Sequence, residues 1–161
     1  MTTDEAVTGG ATQVERVPPG LVETAVLAMP IARTLGLRFR SLGAGTSEVE
    51  VDVRDELTFR PGQLQATAVY AVADFAAVAA AGTTLPQGWT NATVDTTLKL
   101  VAPAVGDVLV ARGRVVDVSR LLTVCAADVY AVADGVETLC ATLLGTARNV
   151  APRQTAGPSA A

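Results

Sequence analysis

Hydrophobic and polar residues alternate with a period of two along several parts of the chain, a pattern typical of half-buried β-strands. The run 47–53 is the clearest case, because its polar and apolar residues alternate from Glu48 to Val53. Further strands are predicted at 37–42, 92–101, 107–118, 121–132 and 136–150. Tight turns at Ser119-Arg120 and Asp134-Gly135 separate the last three strands, so we expect an antiparallel sheet.

The predicted strand 92–101 has a polar face and an apolar face. Strict alternation puts Thr93, Asp95, Thr97 and Lys99 on the polar face. Val94, Leu98 and Leu100 point the other way. A side chain on this strand is therefore assigned to one face by its parity alone.

The segment from Gln63 to Gly82 has a different pattern. It is rich in alanine, has no glycine or proline in its interior, and carries one charge, Asp74. Alanine is the best helix former, so a long helix is predicted. A helix that is apolar on nearly every side must be buried on nearly every side. A membrane span is disfavoured, because the apolar residues are mostly alanine and a carboxylate lies in the middle of the segment.

A shorter amphipathic helix is predicted after Pro18-Pro19-Gly20, and Pro30 interrupts it. The order of elements is then a helix, two strands, a long buried helix and four strands. This order predicts an α+β architecture in which an antiparallel sheet curls around the long helix. Residues 1–18 and 151–161 are polar or rich in small residues, and we expect them to be disordered arms that flank one domain at 19–150.

The charge pattern gives no sign of a nucleic-acid or membrane partner. The formal net charge is −4, and of the 12 basic residues only Lys99 is a lysine. The arginines are scattered and form no basic stripe, so neither nucleic acid nor an anionic membrane is an expected partner. The N-terminus is polar and acidic without an apolar core, which does not fit a signal peptide. A cytoplasmic location is expected.

The chain contains no histidine and two cysteines, Cys125 and Cys140. A Ser-His-Asp triad, a Cys-His pair and an imidazole-based zinc site are therefore excluded. Two cysteines form neither a disulfide framework nor a metal cluster, and we expect no metal and no cofactor. Any acid–base chemistry must use carboxylates, tyrosine, lysine or water.

Asp74 is the residue that stands out, because an ionised carboxylate in a buried helix is unfavourable unless something compensates for it. A structural interpretation has Asp74 capping a turn or facing a wet seam; a functional one places it in a pocket. Tyr70 lies on the same helix face and either donates to Asp74 or packs, and packing is favoured.

The helix start supplies a second candidate group. Gln65, Ala66 and Thr67 open the helix, where free backbone N–H groups can bind an oxyanion or polarise a carbonyl. Asp74 lies roughly 13 Å further along the axis at ~1.5 Å per residue, so both groups cannot reach one carbonyl within a single chain. If both act, the helix start of one subunit must meet the Asp74 of another.

The pattern Gly62-x-Leu64-Gln65-Ala66-Thr67, followed by Val72-Ala73-Asp74, resembles the central-helix signature of hotdog-fold thioesterases of the phenylacetate-degradation (PaaI-like) type. That signature reads G-x-L-H-G-G-x-x-x-x-L-A-D. Thr93-x-Asp95 and the segment 98–107 resemble the strand and turn that follow. The likeness covers about residues 28–150. The His-Gly-Gly of the family is Gln65-Ala66-Thr67 here, and Phe59 stands where many members carry Asn or Gln.

The resemblance implies a hotdog fold, a sheet around a helix that dimerises into a continuous sheet, and an acyl-CoA thioesterase. It implies that Asp74 attacks the thioester or activates water, with Thr93 and Gln65 as further catalytic candidates. The residues implied in substrate binding are Ala66, Thr67, Phe59, Tyr70 and Arg120, the last as a contact for coenzyme A phosphate. The expected partners are the acyl-CoA and further copies of the chain, as a dimer or tetramer.

One alternative remains open. The chain could be a non-catalytic hotdog module that binds acyl groups or only dimerises. The altered helix start and Phe59 favour that alternative, whereas Asp74 together with Thr93 favours the hydrolase.

Overall fold

The computed structural model describes residues 14–153 of the chain. Within this range the helices are α1 (Pro19–Leu27), α2 (Pro30–Leu35) and α3 (Ala66–Gly82). The strands are β1 (Arg38–Gly43), β2 (Thr46–Asp52), β3 (Thr58–Arg60), β4 (Gln63–Leu64), β5 (Thr90–Leu100), β6 (Val108–Val118), β7 (Leu122–Ala133) and β8 (Val136–Val150). A 3-10 turn at Asp55–Leu57 precedes β3.

Six of these strands form one antiparallel sheet in the order β1-β2-β6-β7-β8-β5. Tight turns connect β6 to β7 and β7 to β8. β5 pairs with β8 and is one edge strand of the sheet. β3 and β4 form a separate two-stranded ribbon ahead of α3. The predicted α+β architecture, with an antiparallel sheet of five to six strands around one long helix, is confirmed. The ribbon was not predicted, because strands of two and three residues carry too little periodic pattern.

α3 is the element around which the sheet is built. It is in contact with β2, β5, β6, β7 and β8, and ten of its 17 residues are buried. Small side chains let the helix and the sheet approach closely. A Cβ atom placed on Gly113 of β6 would lie 2.2 Å from the carbonyl oxygen of Ala76, and the hydroxyl of Ser47 donates to that same oxygen at 2.6 Å. The middle of α3 is thereby fixed against the sheet, and Asp74 with it.

α1 packs on the side of α3 that the sheet leaves uncovered. Its Val22 fits against Gly82, where an added Cβ would lie 3.2 Å from a methyl carbon of Val22. The helix ends at Leu27, and Pro30 begins α2, so the predicted interruption at this proline is confirmed. α1 therefore forms a lateral wall beside the second half of α3.

The segment before α1 is bound to the loop that follows α3. The backbone N–H of Val17 donates to Leu85, and the N–H of Gln87 donates to Glu15, both at 2.9 Å. Most of the arm predicted at 1–18 lies outside the described residues, but its last five residues are described and are ordered by this pairing. The ordered block therefore begins before residue 19. Of the tail predicted at 151–161, residues 154–161 lie outside the described part.

β5 does not follow strict alternation. A bulge between Thr93 and Asp95 shifts its register against β8. Thr93 consequently faces α3, while Val94 is exposed, as are Asp95 and Lys99. The prediction that Thr93 shares a face with Asp95 and Lys99 is wrong, because a bulge adds one residue and inverts the parity of the positions before it.

α3 spans 17 residues. Within residues 14–153, no helix combines the length and the hydropathy needed to cross a membrane.

Candidate active site

Asp74 lies in the middle of α3 and its side chain faces β5. The hydroxyl of Thr93 donates to Asp74 Oδ1 at 2.9 Å. No arginine or lysine among residues 14–153 forms an ion pair with this carboxylate. The sequence predicted Asp74 and Thr93 as site residues, and the structure brings them into direct contact. The β5 bulge makes this contact possible.

The surroundings of Asp74 favour its neutral form. Burial raises the pKa of the Asp74 carboxyl above its ordinary value, and the hydrogen bond from Thr93 opposes that rise. A carboxylate that is poorly hydrated and lacks a cationic partner is a stronger base than one in water. This electrostatic setting suits a group that accepts a proton or attacks a carbonyl carbon.

Cys125 of β7 lies on the sheet face that packs against α3, close enough to sense the charge of Asp74. Burial and that negative charge raise the pKa of the Cys125 thiol to about 11. The thiolate is the nucleophilic form of cysteine, so Cys125 is inert near neutral pH. Cys140 is also buried, and burial raises the pKa of its thiol as well. Neither cysteine is therefore a candidate nucleophile of this region.

A cavity of about 620 Å³ opens beside Asp74 and Thr93. Its walls come from α1, from the second half of α3, from the loop after α3 and from the first residues of β5. Its residues are mostly apolar, among them Leu21, Met29, Phe75, Val78 and Trp89. Asp74 is the one charged residue that lines it within the described part of the chain. The carboxylate and the Thr93 hydroxyl therefore face a mainly apolar chamber of the size usual for small-molecule sites.

The start of α3 is organised by its own side chains. Gln65 is the N-cap, and its amide oxygen accepts hydrogen bonds from both the backbone N–H and the hydroxyl of Thr67. The N–H of Ala68 donates to the Gln65 carbonyl at 3.0 Å. No acceptor for the N–H of Ala66 is found within residues 14–153. Gln65, Ala66 and Thr67 do not line the Asp74 cavity, as the axial distance within one chain predicts.

Three other predicted site residues do not line the Asp74 cavity. Phe59 of β3 is 58% exposed, with the guanidinium of Arg60 5.3 Å from its ring centre. The hydroxyls of Tyr70 and Thr96 share a hydrogen bond at 2.8 Å, so Tyr70 is held by β5 and not by Asp74.

Arg120 lies in the β6–β7 turn. This turn borders a separate cavity of about 270 Å³, which shares Trp89 and Leu85 with the Asp74 cavity. The side-chain amide of Asn149 donates to the Ser119 carbonyl at 2.9 Å and fixes the turn in place.

The wall that α1 contributes was not predicted from the sequence. α1 was expected to be amphipathic, but nothing in its pattern indicates which surface its apolar face covers. Asn91 was also missed: its side-chain amide donates to the Val78 carbonyl at 3.0 Å and fixes β5 beside α3. Both contacts join parts of the chain that are distant in sequence.

A curved antiparallel sheet around a central helix defines a hotdog-fold protein, and the carboxylate in the apolar cavity at its edge strand is the candidate site. A thioesterase family protein from Silicibacter pomeroyi is 32% identical to this chain; the alignment covers 81% of this chain and 96% of that one, with a TM-score of 0.78. The chain belongs to the thioesterase family, and is accordingly an enzyme that acts on thioester bonds.

Two further solved structures share the fold. A mutant of the phenylacetic acid degradation protein PaaI from Thermus thermophilus is 26% identical, covering 74% of this chain and 98% of that one, with a TM-score of 0.63. A thioesterase from Haemophilus influenzae is 16% identical, covering 89% and 98%, with a TM-score of 0.75. The predicted resemblance to PaaI-like hotdog thioesterases is confirmed. No protein-family model matches the sequence, and no curated protein matches it.

Proposed function

We propose that the protein hydrolyses acyl-CoA, or a related acyl thioester, to the free acid and thiol, with Asp74 as the catalytic carboxylate. The observation that carries this proposal is the Asp74–Thr93 hydrogen bond at the head of an apolar cavity in which Asp74 is the one charged residue among those described. An acyl group would occupy the cavity and bring its thioester carbonyl to the carboxylate.

Two roles for Asp74 fit this geometry. As a general base, it takes a proton from water while the water oxygen attacks the carbonyl carbon; the C–S bond then breaks and the thiolate leaves. As a nucleophile, it attacks the carbonyl carbon itself and expels the thiolate, and water hydrolyses the resulting anhydride. A thiolate is a good leaving group, so neither route needs a strong general acid, and a chain without histidine can carry out the reaction.

The carbonyl oxygen needs a hydrogen-bond donor, and we propose that the helix start of a partner subunit supplies it. The N–H of Ala66 is the candidate, because Gln65 already occupies the N–H of Thr67. Backbone donors aimed at developing negative charge are a common device in acyl transfer. The distance along α3 requires the donor and Asp74 to come from different chains.

β5 is the surface through which we propose that the two chains meet. It is an edge strand of 11 residues whose outer hydrogen-bonding groups have no partner strand among residues 14–153. Val94 and Leu100 on this strand are 57% and 54% exposed. A long edge with exposed apolar residues favours strand pairing. A second copy of β5 would satisfy the edge and extend the sheet.

Charges on β5 select one register for that pairing. An antiparallel match centred on Thr97 sets Asp95 of each chain opposite Lys99 of the other. Opposite charges across neighbouring strands favour pairing. Asp95 and Lys99 form no ion pair within residues 14–153, so both are free for this role.

The location we propose is the cytoplasm. Cys125 and Cys140 are both free thiols, and a reducing compartment fits this state.

Release of free thiol from acyl-CoAs tests the proposal. Wild type and Asp74→Asn would be assayed on short, medium and aryl acyl-CoAs. We expect turnover by wild type that largely disappears in the variant. Turnover that continues unchanged in Asp74→Asn would remove Asp74 from the mechanism.

The alternative predicted from the sequence, a non-catalytic module that binds acyl groups, does not fit membership of the thioesterase family. Binding of acyl-CoA without turnover of any thioester would support this function.

A further inference from the structure

The Asp74 cavity is elongated along α3. Thr93 of β5 is bonded to Asp74, and Asn91 is bonded to the carbonyl of Val78, one turn later in α3. Gly82, the last residue of α3, and Trp89, just before β5, also line the cavity. The cavity therefore extends from the carboxylate towards the end of α3, between α1 and the beginning of β5.

Its length follows from the helix. Gly82 lies eight residues after Asp74, which corresponds to about 12 Å at ~1.5 Å per residue. An extended hydrocarbon chain advances about 1.3 Å per carbon, since its C–C bonds of ~1.5 Å zigzag at tetrahedral angles. About eight to ten carbon atoms would fill the distance between the carboxylate and the far end.

The chemistry of the walls selects what can occupy this space. The α1 residues that line it are apolar, and the Asn91 side-chain amide already donates to the backbone of α3. No cation among residues 14–153 lines the cavity, and Asp74 contributes a negative charge at its head. A second carboxylate on the acyl group would be buried without a partner and repelled, whereas methylene groups gain from leaving water.

On the basis of the proposed thioesterase function, we infer that this enzyme is selective for uncharged aliphatic acyl groups of medium length, about eight to ten carbons. Trp89 forms the end wall and α1 forms the side wall. The acyl chain lies along α3 with its thioester at Asp74 and its methyl end against Trp89. An acetyl group would leave the cavity mostly empty, and an acyl chain well beyond ten carbons would clash with the Trp89 indole.

A chain-length series tests this inference. Wild type would be assayed on saturated acyl-CoAs from acetyl to hexadecanoyl, with phenylacetyl-CoA and glutaryl-CoA for comparison. We expect kcat/KM to rise about threefold to fourfold per added methylene, the value for burying one CH2 group, up to the optimum and then to fall. Glutaryl-CoA should be a poor substrate, and phenylacetyl-CoA should be slower than octanoyl-CoA because it fills the cavity only in part.

Two variants move the walls in opposite directions. Trp89→Ala removes the end wall and should shift the optimum to longer chains. Its control is Val136→Ala, at the exposed first residue of β8 and outside the cavity. Ala25→Phe fills the cavity from α1 and should shift the optimum to shorter chains. Its matched control is Ala28→Phe, just after the same helix and outside the cavity. Thermal unfolding of each variant would show that it folds.

The possible outcomes separate this inference from the proposed function. Turnover that is independent of chain length, or an equal shift in Ala25→Phe and Ala28→Phe, overturns the inferred acyl site and leaves the hydrolase intact. If no thioester is hydrolysed, the hydrolase proposal fails. Calorimetric affinities for the same acyl-CoAs in the same variants then decide whether the cavity selects chain length.

Discussion

The hydroxyl of Thr93 donates to Asp74 Oδ1 at 2.9 Å and joins the edge strand β5 to the middle of α3. The remaining surroundings of the carboxylate are mainly apolar, and burial raises the pKa of Asp74. Thr93 stabilises the ionised form in a place that otherwise disfavours it.

Asp74→Asn should lower kcat by about 10²- to 10⁴-fold, the usual contribution of a positioned acid or base.

The same variant should be more stable than wild type at pH 7. Because the pKa of Asp74 is higher in the folded state than in the unfolded chain, folding favours the proton, and stability falls as the pH rises through the interval between these two values. Asparagine carries no charge and avoids this loss.

Thermal unfolding measured at pH 7 and near pH 3.5, below the ordinary aspartate pKa of ~3.9, checks the stability effect. The advantage of Asp74→Asn should be present at pH 7 and absent at the lower pH. An equal difference in Tm at both pH values would contradict a contribution from ionisation.

Thr93→Val should move the acid limb of the pH–rate profile to higher pH. The hydrogen bond from Thr93 holds the pKa of Asp74 down against burial, and valine removes that bond with little change of shape. Activity requires the ionised carboxylate, so a higher pKa of Asp74 means that activity appears only at a higher pH. We also expect a loss in kcat of about tenfold, from one hydrogen bond to a charged group.

Thr93→Ser is the matched control, because it keeps the hydroxyl. It should restore both the position of the acid limb and most of the rate. The role assigned to Thr93 is wrong if Thr93→Val lowers kcat without moving the limb, or if serine and valine behave alike.

The sequence predicted the long helix and its lone carboxylate because both leave a strong local signal. The partner hydroxyl, Thr93, was implied only by the resemblance to hotdog-fold thioesterases. Asp74 is the single charge in an alanine-rich segment, and a helix that is apolar on nearly every side is predicted to be buried. Alternation alone could not predict which face of the sheet the Thr93 side chain occupies. That face depends on a bulge in the pairing of β5 with β8, two strands that are distant in sequence. The cavity beyond Asp74 was not predictable either, since α1 and Trp89 come together only through tertiary packing.

Gln65→Ala should lower the free energy of unfolding by about 1 kcal/mol, the usual effect of losing an N-cap acceptor. The Gln65 oxygen accepts from the N–H and the hydroxyl of Thr67, and alanine leaves both without a partner. Gln65→Asn keeps a good capping group and should retain most of the stability. Urea denaturation of the three proteins measures the difference. A large loss of kcat in both variants without a change in stability would instead assign Gln65 to the substrate.

Gly113→Ala should destabilise the fold by at least about 1–3 kcal/mol, the usual range for overpacking. Its Cβ would lie 2.2 Å from the Ala76 carbonyl oxygen, a backbone atom that can move only with α3. Gly20→Ala is the control, because it adds the same atom with nothing within 4 Å. Chemical denaturation checks both variants. Equal stabilities would show that the sheet and α3 are further apart at this point than the structure gives.

Asp95→Lys and Lys99→Asp should each weaken dimerisation several-fold, and the double reversal should restore it. In the proposed β5 register, either single change sets like charges opposite each other twice, once on each side of the two-fold axis, and each such pair is unfavourable by up to ~1 kcal/mol. Sedimentation equilibrium at low salt measures the dimer, and thiol release measured in parallel should follow the dimer fraction if the partner supplies the carbonyl donor. Asp117→Lys, at an exposed position of β6, makes the same change of charge away from β5 and should leave the dimer unaffected. If the double variant is no better a dimer than either single variant, Asp95 and Lys99 do not face each other and the register centred on Thr97 is wrong.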